Sequence, residues 1–227
     1  MFTLDQIVPW GRSFDEYRRM FALSDGDLRA RILGCADGPA SFNADAKRLG
    51  GRVISCDPLY RWTGTEIRER IIATSDQVLE QTRLNAHEFV WDVVRSVEEL
   101  RQLRMGAMEV FLKDYDAGKR ESRYVDGEIQ TLPFADQNFD LAICSHFLFL
   151  YTSQLTEEFH KRAVLELCRV ASEVRVFPLL ALGGTLSAYV PGTVDDLRNR
   201  GYDVTIERVP YEFRRGGNEM MRIRGSG

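Results

Sequence analysis

Short apolar runs closed by turns recur along this chain. Arg31–Cys35 is apolar and ends in Ala36-Asp37-Gly38-Pro39, and Arg52–Cys56 ends in Asp57-Pro58. Between them Ser41–Leu49 has the pattern of a short helix stopped by Gly50-Gly51, which suits a helix C-terminus. Strand, helix, strand in so few residues predicts a βαβ unit with parallel pairing and a right-handed crossover. Asp140–Cys144 predicts another buried strand after the turn at Asp136-Gln137-Asn138, and Glu173–Leu180 a further one. Thr156–Ala171 carries an apolar stripe at Phe159, Ala163, Leu167 and Val170, so it predicts a helix, with Glu157 and Glu158 well placed near its N-terminus. Asp195–Arg200 reads as a short helix closed by Gly201. The end of the chain is different: Tyr202–Val209 and Glu219–Arg224 are alternating runs around Arg215-Gly216-Gly217-Asn218, the pattern of an antiparallel hairpin.

Trp62–Gly118 breaks the rhythm. Ile67, Ile71, Ile72, Val78, Leu79, Phe89, Val93, Val94, Leu100, Leu103, Met108, Phe111 and Leu112 recur at helical spacing, and Ser96 with Glu99 fits a capping box. We therefore expect a helical insertion over 61–123 after the second strand. It leaves from the carboxyl end of that strand, where open parallel sheets bind ligands, so it reads as a substrate cap or, more plainly, a stabilising lid.

Composition narrows the class. The 227 residues are 44% hydrophobic and 28% charged, and 30 Lys+Arg stand against 34 Asp+Glu for a net charge of −4. That is one ordinary globular α/β domain, 1–227, with no basic stripe for a nucleic acid. Met1–Ser13 lacks the basic and apolar regions of a signal peptide, and Leu141–Tyr151 is too short and too interrupted to span a bilayer. Cys35, Cys56, Cys144 and Cys168 form no Cys-x-x-Cys pair and have no His at zinc spacing. We expect reduced core thiols, no metal, and a cytoplasmic protein. Gly225-Ser226-Gly227 reads as a frayed end.

Three places carry candidate chemistry. Gly34-Cys35-Ala36-Asp37-Gly38-Pro39 is a turn without bulky side chains at a helix start, where backbone amides can meet a ligand. It is not a nicotinamide fingerprint, because Ala36 and Pro39 stand where glycines are needed. Asp57 closes the second strand and suits the two hydroxyls of a ribose; it also suits plain capping of the turn before Pro58. The third place is Asp126-Gly127-Glu128-Ile129-Gln130, followed by Leu132-Pro133-Phe134 and Phe139-Asp140-Leu141.

Taken together, Gly34-x-Ala36-x-Gly38, Asp57, Glu128, the Leu-Pro-Phe…Phe-Asp-Leu spacing and the terminal hairpin resemble the class I S-adenosylmethionine-dependent methyltransferases of the type-11-like subgroup. The resemblance covers roughly 28–60 and 124–224. It implies a Rossmann-like, mostly parallel seven-stranded sheet with an antiparallel last strand in a three-layer α/β/α fold, and S-adenosyl-L-methionine as cofactor. It implies that Gly34, Cys35, Ala36 and Gly38 pass under the methionine part with Asp37 near its amino group. Asp57 then holds the ribose, Pro58 or Leu59 packs on adenine, Glu128 and the backbone of Ile129 meet its edge, and Ser145 and His146 lie beside the methyl. Arg12, in a segment that similar enzymes fold over the cofactor, pairs with its carboxylate. One position departs from the pattern: Ile32 stands where the family has an acidic residue, leaving Asp37 to compensate.

The function implied is methyl transfer by in-line displacement to a small-molecule acceptor. His146 is the candidate base because an ordinary imidazole titrates near neutrality; simple closure of the pocket is its other reading. Tyr151 is a weaker candidate, His87 and His160 read as surface or packing, and Arg215 and Asn218 either meet the acceptor or shape their turn. A non-catalytic cofactor-binding or regulatory module with the same fold is the alternative. Protein or nucleic-acid acceptors fit the charge and the lid less well, and metalloid methylation fits buried thiols poorly.

Overall fold

In the computed structural model, which describes residues 1–225, seven strands form one sheet in the order β3-β2-β1-β4-β5-β7-β6. The strands are β1 Arg31–Cys35, β2 Arg52–Cys56, β3 Tyr124–Val125, β4 Phe139–Ser145, β5 Ala171–Phe177, β6 Asp203–Arg208 and β7 Glu219–Arg224. β1 pairs parallel with both β2 and β4, so the order reverses beside β1 and a crevice opens at the carboxyl ends there. β7 runs antiparallel between β5 and β6, as the alternating runs predict. The Ser226-Gly227 part of the expected frayed end lies outside the described residues.

Pleating sorts the strand residues between two helical layers. Ile32, Val53, Leu141 and Ile143 face α1 (Phe14–Met20) and α2 (Phe42–Arg48), meeting Tyr17, Met20, Phe42 and Ala46. Leu33, Cys35, Ala142, Cys144, Val174 and Val176 face α5 (Glu157–Val170) and α6 (Tyr189–Asn199). All four cysteines are free and buried, and burial pushes the thiols of Cys56, Cys144 and Cys168 up to about 12. No helix among the described residues is long and apolar enough to cross a membrane.

Three expected boundaries move, each for a physical reason. β5 stops at Phe177 rather than running on to Leu180, because Pro178 has no N–H for the ladder. α6 begins at Tyr189, well before Asp195; Pro191 falls in its first turn, where an amide hydrogen has no helical partner anyway. The 62–118 stretch divides into α3 (Gly64–Leu84) and α4 (Val97–Arg120), and Phe89, Val93 and Val94 leave the helical pattern. There Val90 N donates to Phe213 O at 2.8 Å and Phe89 bridges Arg214, so tertiary pairing overrides local spacing. Ser96 does cap α4 by accepting from Glu99 N, but the Glu99 carboxylate accepts from Arg95 N, so the box is not reciprocal.

The helices after β2 share two tasks. α4 packs on α2 and β3 as an ordinary crossover helix, with Phe111 and Tyr115 against Tyr60 and Tyr124. α3 leans on α4 through Ile67 and Ile71, and its distal Val78 meets Phe2, Leu4 and Phe89 above the sheet edge.

Candidate active site

A cavity of about 760 Å³ opens at the carboxyl ends of β1, β2 and β4. Its floor is the turn after β1. Ala36 and Gly38 both adopt φ of +53°, and Gly38 N donates to Asp57 Oδ2 at 2.9 Å. Leu59 N donates to Asp57 Oδ1 at 2.7 Å, so the carboxylate ties the first turn to the second and each oxygen keeps a lone pair. Burial pushes Asp57 up to about 6 despite those two amides, with Glu128 and Asp126 adding repulsion.

Asp37 lines the cavity floor, with its carboxylate folded beneath its own turn. Its Oδ2 accepts from Ser55 Oγ at 2.7 Å and its Oδ1 from Tyr17 Oη at 2.9 Å. A Cβ at position 34 would stand 1.8 Å from Asp37 Oδ2, so Gly34 is what lets the carboxylate fold there. Buried with no cation at hydrogen-bond distance, Asp37 is also pushed up to about 6.

A second buried cluster lies across the cavity. Arg104 on α4 meets Glu16 on α1 at 2.5 Å, and Tyr211 Oη donates to the other Glu16 oxygen at 3.0 Å. Burial would raise Glu16, yet Arg104 outweighs it and brings the carboxyl down to about 2. Glu16 also closes the capping box of α1, accepting from Ser13 N. Arg12 is buried near enough to feel both Arg104 and Glu16, but among the described residues only Arg104 pairs with the carboxylate. Nε of Arg12 and Nε of Arg104 are buried without a hydrogen-bond partner, and Arg12 Nη1 reaches only Trp10 O.

His146 follows β4 with φ of +53°, its N–H donating to Phe177 O at 2.7 Å and its Nδ1 3.0 Å from Ser145 Oγ. Burial, with Arg12 and Arg104 nearby, holds the imidazole well below its ordinary value. The side chain stands where the sequence suggests, but without the near-neutral basicity that made it a candidate base.

Of the expected residues, Arg12, Ala36, Asp37, Gly38, Asp57, Pro58, Leu59, Glu128, Ile129, Ser145 and His146 line this one cavity. Gly34 and Cys35 do not: they lie in the strand below, and Cys35 is fully buried. Arg215 Nε donates to His87 O and Asn218 Nδ2 to Glu212, so both shape their turn, while Tyr211, Phe213 and Arg214 line the cavity instead. His87 is exposed, and His160 is buried against Phe149 and Tyr189. Sequence reasoning missed Glu16, Tyr17 and Arg104 as polar members of the site. A signal existed for Arg104: it is the one charged residue on the α4 stripe of Leu100, Met108, Phe111 and Tyr115.

Beyond the polar floor the wall is apolar: Phe2, Leu4 and Trp10 from the N-terminal segment, Val78 from α3, Leu150 after β4, and Phe213 from the last turn. A Cβ at Gly11 would meet Pro39 O at 2.1 Å, so that N-terminal segment crosses directly over the first turn.

Residues 107–173 match a family model described as a methyltransferase domain. Over 223 residues, 98% of both chains, the sequence is 32% identical to the uncharacterized protein MJ0045 of Methanocaldococcus jannaschii. Among solved structures, the magnesium protoporphyrin IX methyltransferase of Synechocystis PCC 6803 with bound SAH aligns at 11% identity and a TM-score of 0.47, covering 94% of this chain and 82% of that one. A TehB-like SAM-dependent methyltransferase of Corynebacterium glutamicum aligns at 12% and 0.46, covering 93% and 87%.

Proposed function

We propose that this chain is a class I S-adenosylmethionine-dependent methyltransferase that methylates a small, largely apolar molecule enclosed in the cavity, a reading that the match of residues 107–173 to a methyltransferase-domain model supports. The observation that carries the reading is the unbalanced buried charge around the first turn. On one side Asp37 has no cation among the described residues, and on the other Arg104 takes the one carboxylate, Glu16, while Arg12 reaches only Trp10 O. That separation complements the ammonium and carboxylate of an amino-acid zwitterion, and Asp57 keeps lone pairs for vicinal hydroxyls. Burying unpaired charge is costly unless a partner arrives, so a ligand of this shape is stabilised where water is not enough.

The cofactor, when bound, supplies a sulfonium methyl that is already activated. The protein's share is to place the acceptor in line and exclude water. Trp10 and Leu4 cover the first turn, α3 closes the far wall, and Phe213 and Leu150 border the remaining space, so α3 acts as the cap while α4 serves as a crossover helix of the sheet. An apolar wall of this kind favours a compact molecule over a polymer. The test is isothermal calorimetry with S-adenosylmethionine and S-adenosylhomocysteine, followed by methyl-incorporation assays on a panel of small ring-bearing acceptors. Absence of cofactor binding overturns the reading, and transfer confined to protein or RNA overturns the small acceptor.

The raised carboxyls set a pH dependence. Asp37 and Asp57 take up protons as the pH falls through about 6, and the proposed ligand needs both ionised. Affinity for S-adenosylhomocysteine is therefore full above pH 6 and falls below it, roughly tenfold per pH unit for each group. Below pH 6, binding releases protons, which calorimetry in buffers of different ionisation enthalpy measures directly. In the free protein the sign is opposite: ionising these carboxyls costs stability as the pH rises from about 4 to about 6, because the folded state holds protons that the unfolded state has lost.

A further inference from the structure

A molecule that arrives with a proton on the atom to be methylated needs a base, so the proton-accepting groups around the cavity decide what can react there. Each of them has another commitment. Asp37 spends both oxygens on Ser55 and Tyr17. Asp57 lies on the floor, tied to Gly38 N and Leu59 N and, on the proposed reading, turned to the ribose. Glu128 meets Arg61 at 3.4 Å at the β3 edge. Glu16 gives its oxygens to Arg104 and Tyr211, and Glu88 is held by Arg214 at 2.5 Å and by Phe2 N at 3.0 Å. His146 is kept neutral by its burial and by the nearby Arg12 and Arg104, which makes it a poor proton acceptor.

Donors, by contrast, are in surplus. Tyr151 is only 4% exposed and lines the cavity wall after β4. Its hydroxyl oxygen accepts from Val8 N at 3.4 Å, and among the described residues no group accepts its proton. Burial holds the phenol above its ordinary value, so the proton stays on the oxygen and is there to be shared. Nε of Arg12 and Nε of Arg104 are likewise unpartnered, but the proposed cofactor carboxylate answers those two. Tyr151 is left for the acceptor.

We propose that the methyl acceptor is a carboxylate on an apolar body: one oxygen takes a hydrogen bond from the Tyr151 hydroxyl, and the other attacks the sulfonium methyl without a base, giving a methyl ester. The inference rests on the methyl-transfer reading and names the substrate class of that same site. The step balances with no proton moved. An oxygen lone pair bonds the methyl carbon, and the carbon–sulfur pair leaves with sulfur. An anion and a cation thereby become an uncharged ester and an uncharged thioether. Away from water their attraction is strong, which draws the carboxylate to the sulfonium, and the Tyr151 bond fixes which oxygen faces it. Burial of the anion is offset because a charge and a hydrogen-bond donor both meet it. An alcohol or an ammonium would have to lose a proton where nothing is placed to take it. The wall of Phe2, Leu4, Val78 and Phe213 suits the rest of such a molecule.

Two matched ring series test this with methyl-labelled S-adenosylmethionine: naphthoate against naphthol and naphthylamine, and benzoate against phenol and aniline. Label is expected on a carboxylate alone and is released by mild alkali as volatile methanol, as an ester requires. With saturating S-adenosylhomocysteine, calorimetry should show naphthoate binding. Tyr151→Phe should weaken that binding about tenfold or more, the loss of one hydrogen bond to a charged group, with cofactor affinity close to wild type. Label on a phenol, naphthol or amine, label on none of the compounds, or undiminished naphthoate affinity in Tyr151→Phe overturns the proposal. The labelling assay uses wild type only, so it decides whether or not the variant folds. Absence of S-adenosylhomocysteine binding to wild type speaks instead against methyl transfer itself, which keeps the two failures apart.

Discussion

Asp57→Ala is expected to weaken S-adenosylhomocysteine binding by about a hundredfold or more. The carboxylate offers two free lone-pair directions at the cavity, and hydrogen bonds to a charged group contribute about 1.5–3 kcal/mol each. Losing two gives on the order of 3–6 kcal/mol, and each 1.4 kcal/mol is a factor of ten. Asp57 also accepts from Gly38 N and Leu59 N, so alanine loosens both turns that frame the cofactor. Two measurements separate a ligand-binding Asp57 from one that merely caps its turn. If capping were its whole role, the variant would melt lower and bind normally. A binding role predicts the reverse: burial has pushed this carboxyl up, so its removal relieves a cost that partly offsets the lost caps. The melting temperature then changes little while affinity collapses. Asp57→Asn, which keeps one acceptor, should fall between wild type and alanine. Calorimetry at pH 7.5 with differential scanning fluorimetry reads both quantities, and normal affinity in the alanine variant would falsify the ribose assignment.

The sheet was legible because strands buried on both faces leave unambiguous apolar runs. Ile32-Leu33 and Val53-Ile54 could not be much else, and Gly216-Gly217-Asn218 announced the reversal of the last strand. The polar floor was legible where it belongs to a turn: Asp57 and the Ala36–Gly38 bend sit at strand ends in sequence and in space. What escaped is everything assembled from distant segments. Glu16 and Arg104 are far apart in the chain and meet only once α1 and α4 are packed. The Tyr17 ring packs in the apolar core of α1, and only its hydroxyl, against Asp37, belongs to the site. The same long-range logic broke the helical reading at Phe89, where pairing with Arg214 outweighs local spacing. His146 shows the subtler limit. Its place after β4 follows from order alone, but its depressed basicity depends on two guanidiniums that the local sequence does not mention.

Glu16→Gln is expected to cost about 3–5 kcal/mol of stability, the range for removing one partner of a buried ion pair. The substitution is nearly isosteric, so packing of α1 is retained and the loss is electrostatic. Arg104 is fully buried and meets no other carboxylate at ion-pair distance, and Arg12 lies in the same cluster. Without Glu16 the repulsion between the buried Arg12 and Arg104 loses its counter-charge. The N-terminal capping box weakens as well, since Ser13 N donates to the same side chain. Urea denaturation at pH 7 measures the change. The double variant Glu16→Gln with Arg104→Met should recover much of it, because methionine fills the space and removes one of the uncompensated charges. Failure of the double variant to recover any stability would mean that the capping bonds, not the charge balance, dominate. Ligand should rescue the single variant in part. In the proposed complex a carboxylate arrives beside Arg12 and Arg104, so saturating S-adenosylhomocysteine should stabilise Glu16→Gln by more than it stabilises wild type. If the increment is equal or smaller, the anion does not sit against these arginines, and the zwitterion assignment fails with it.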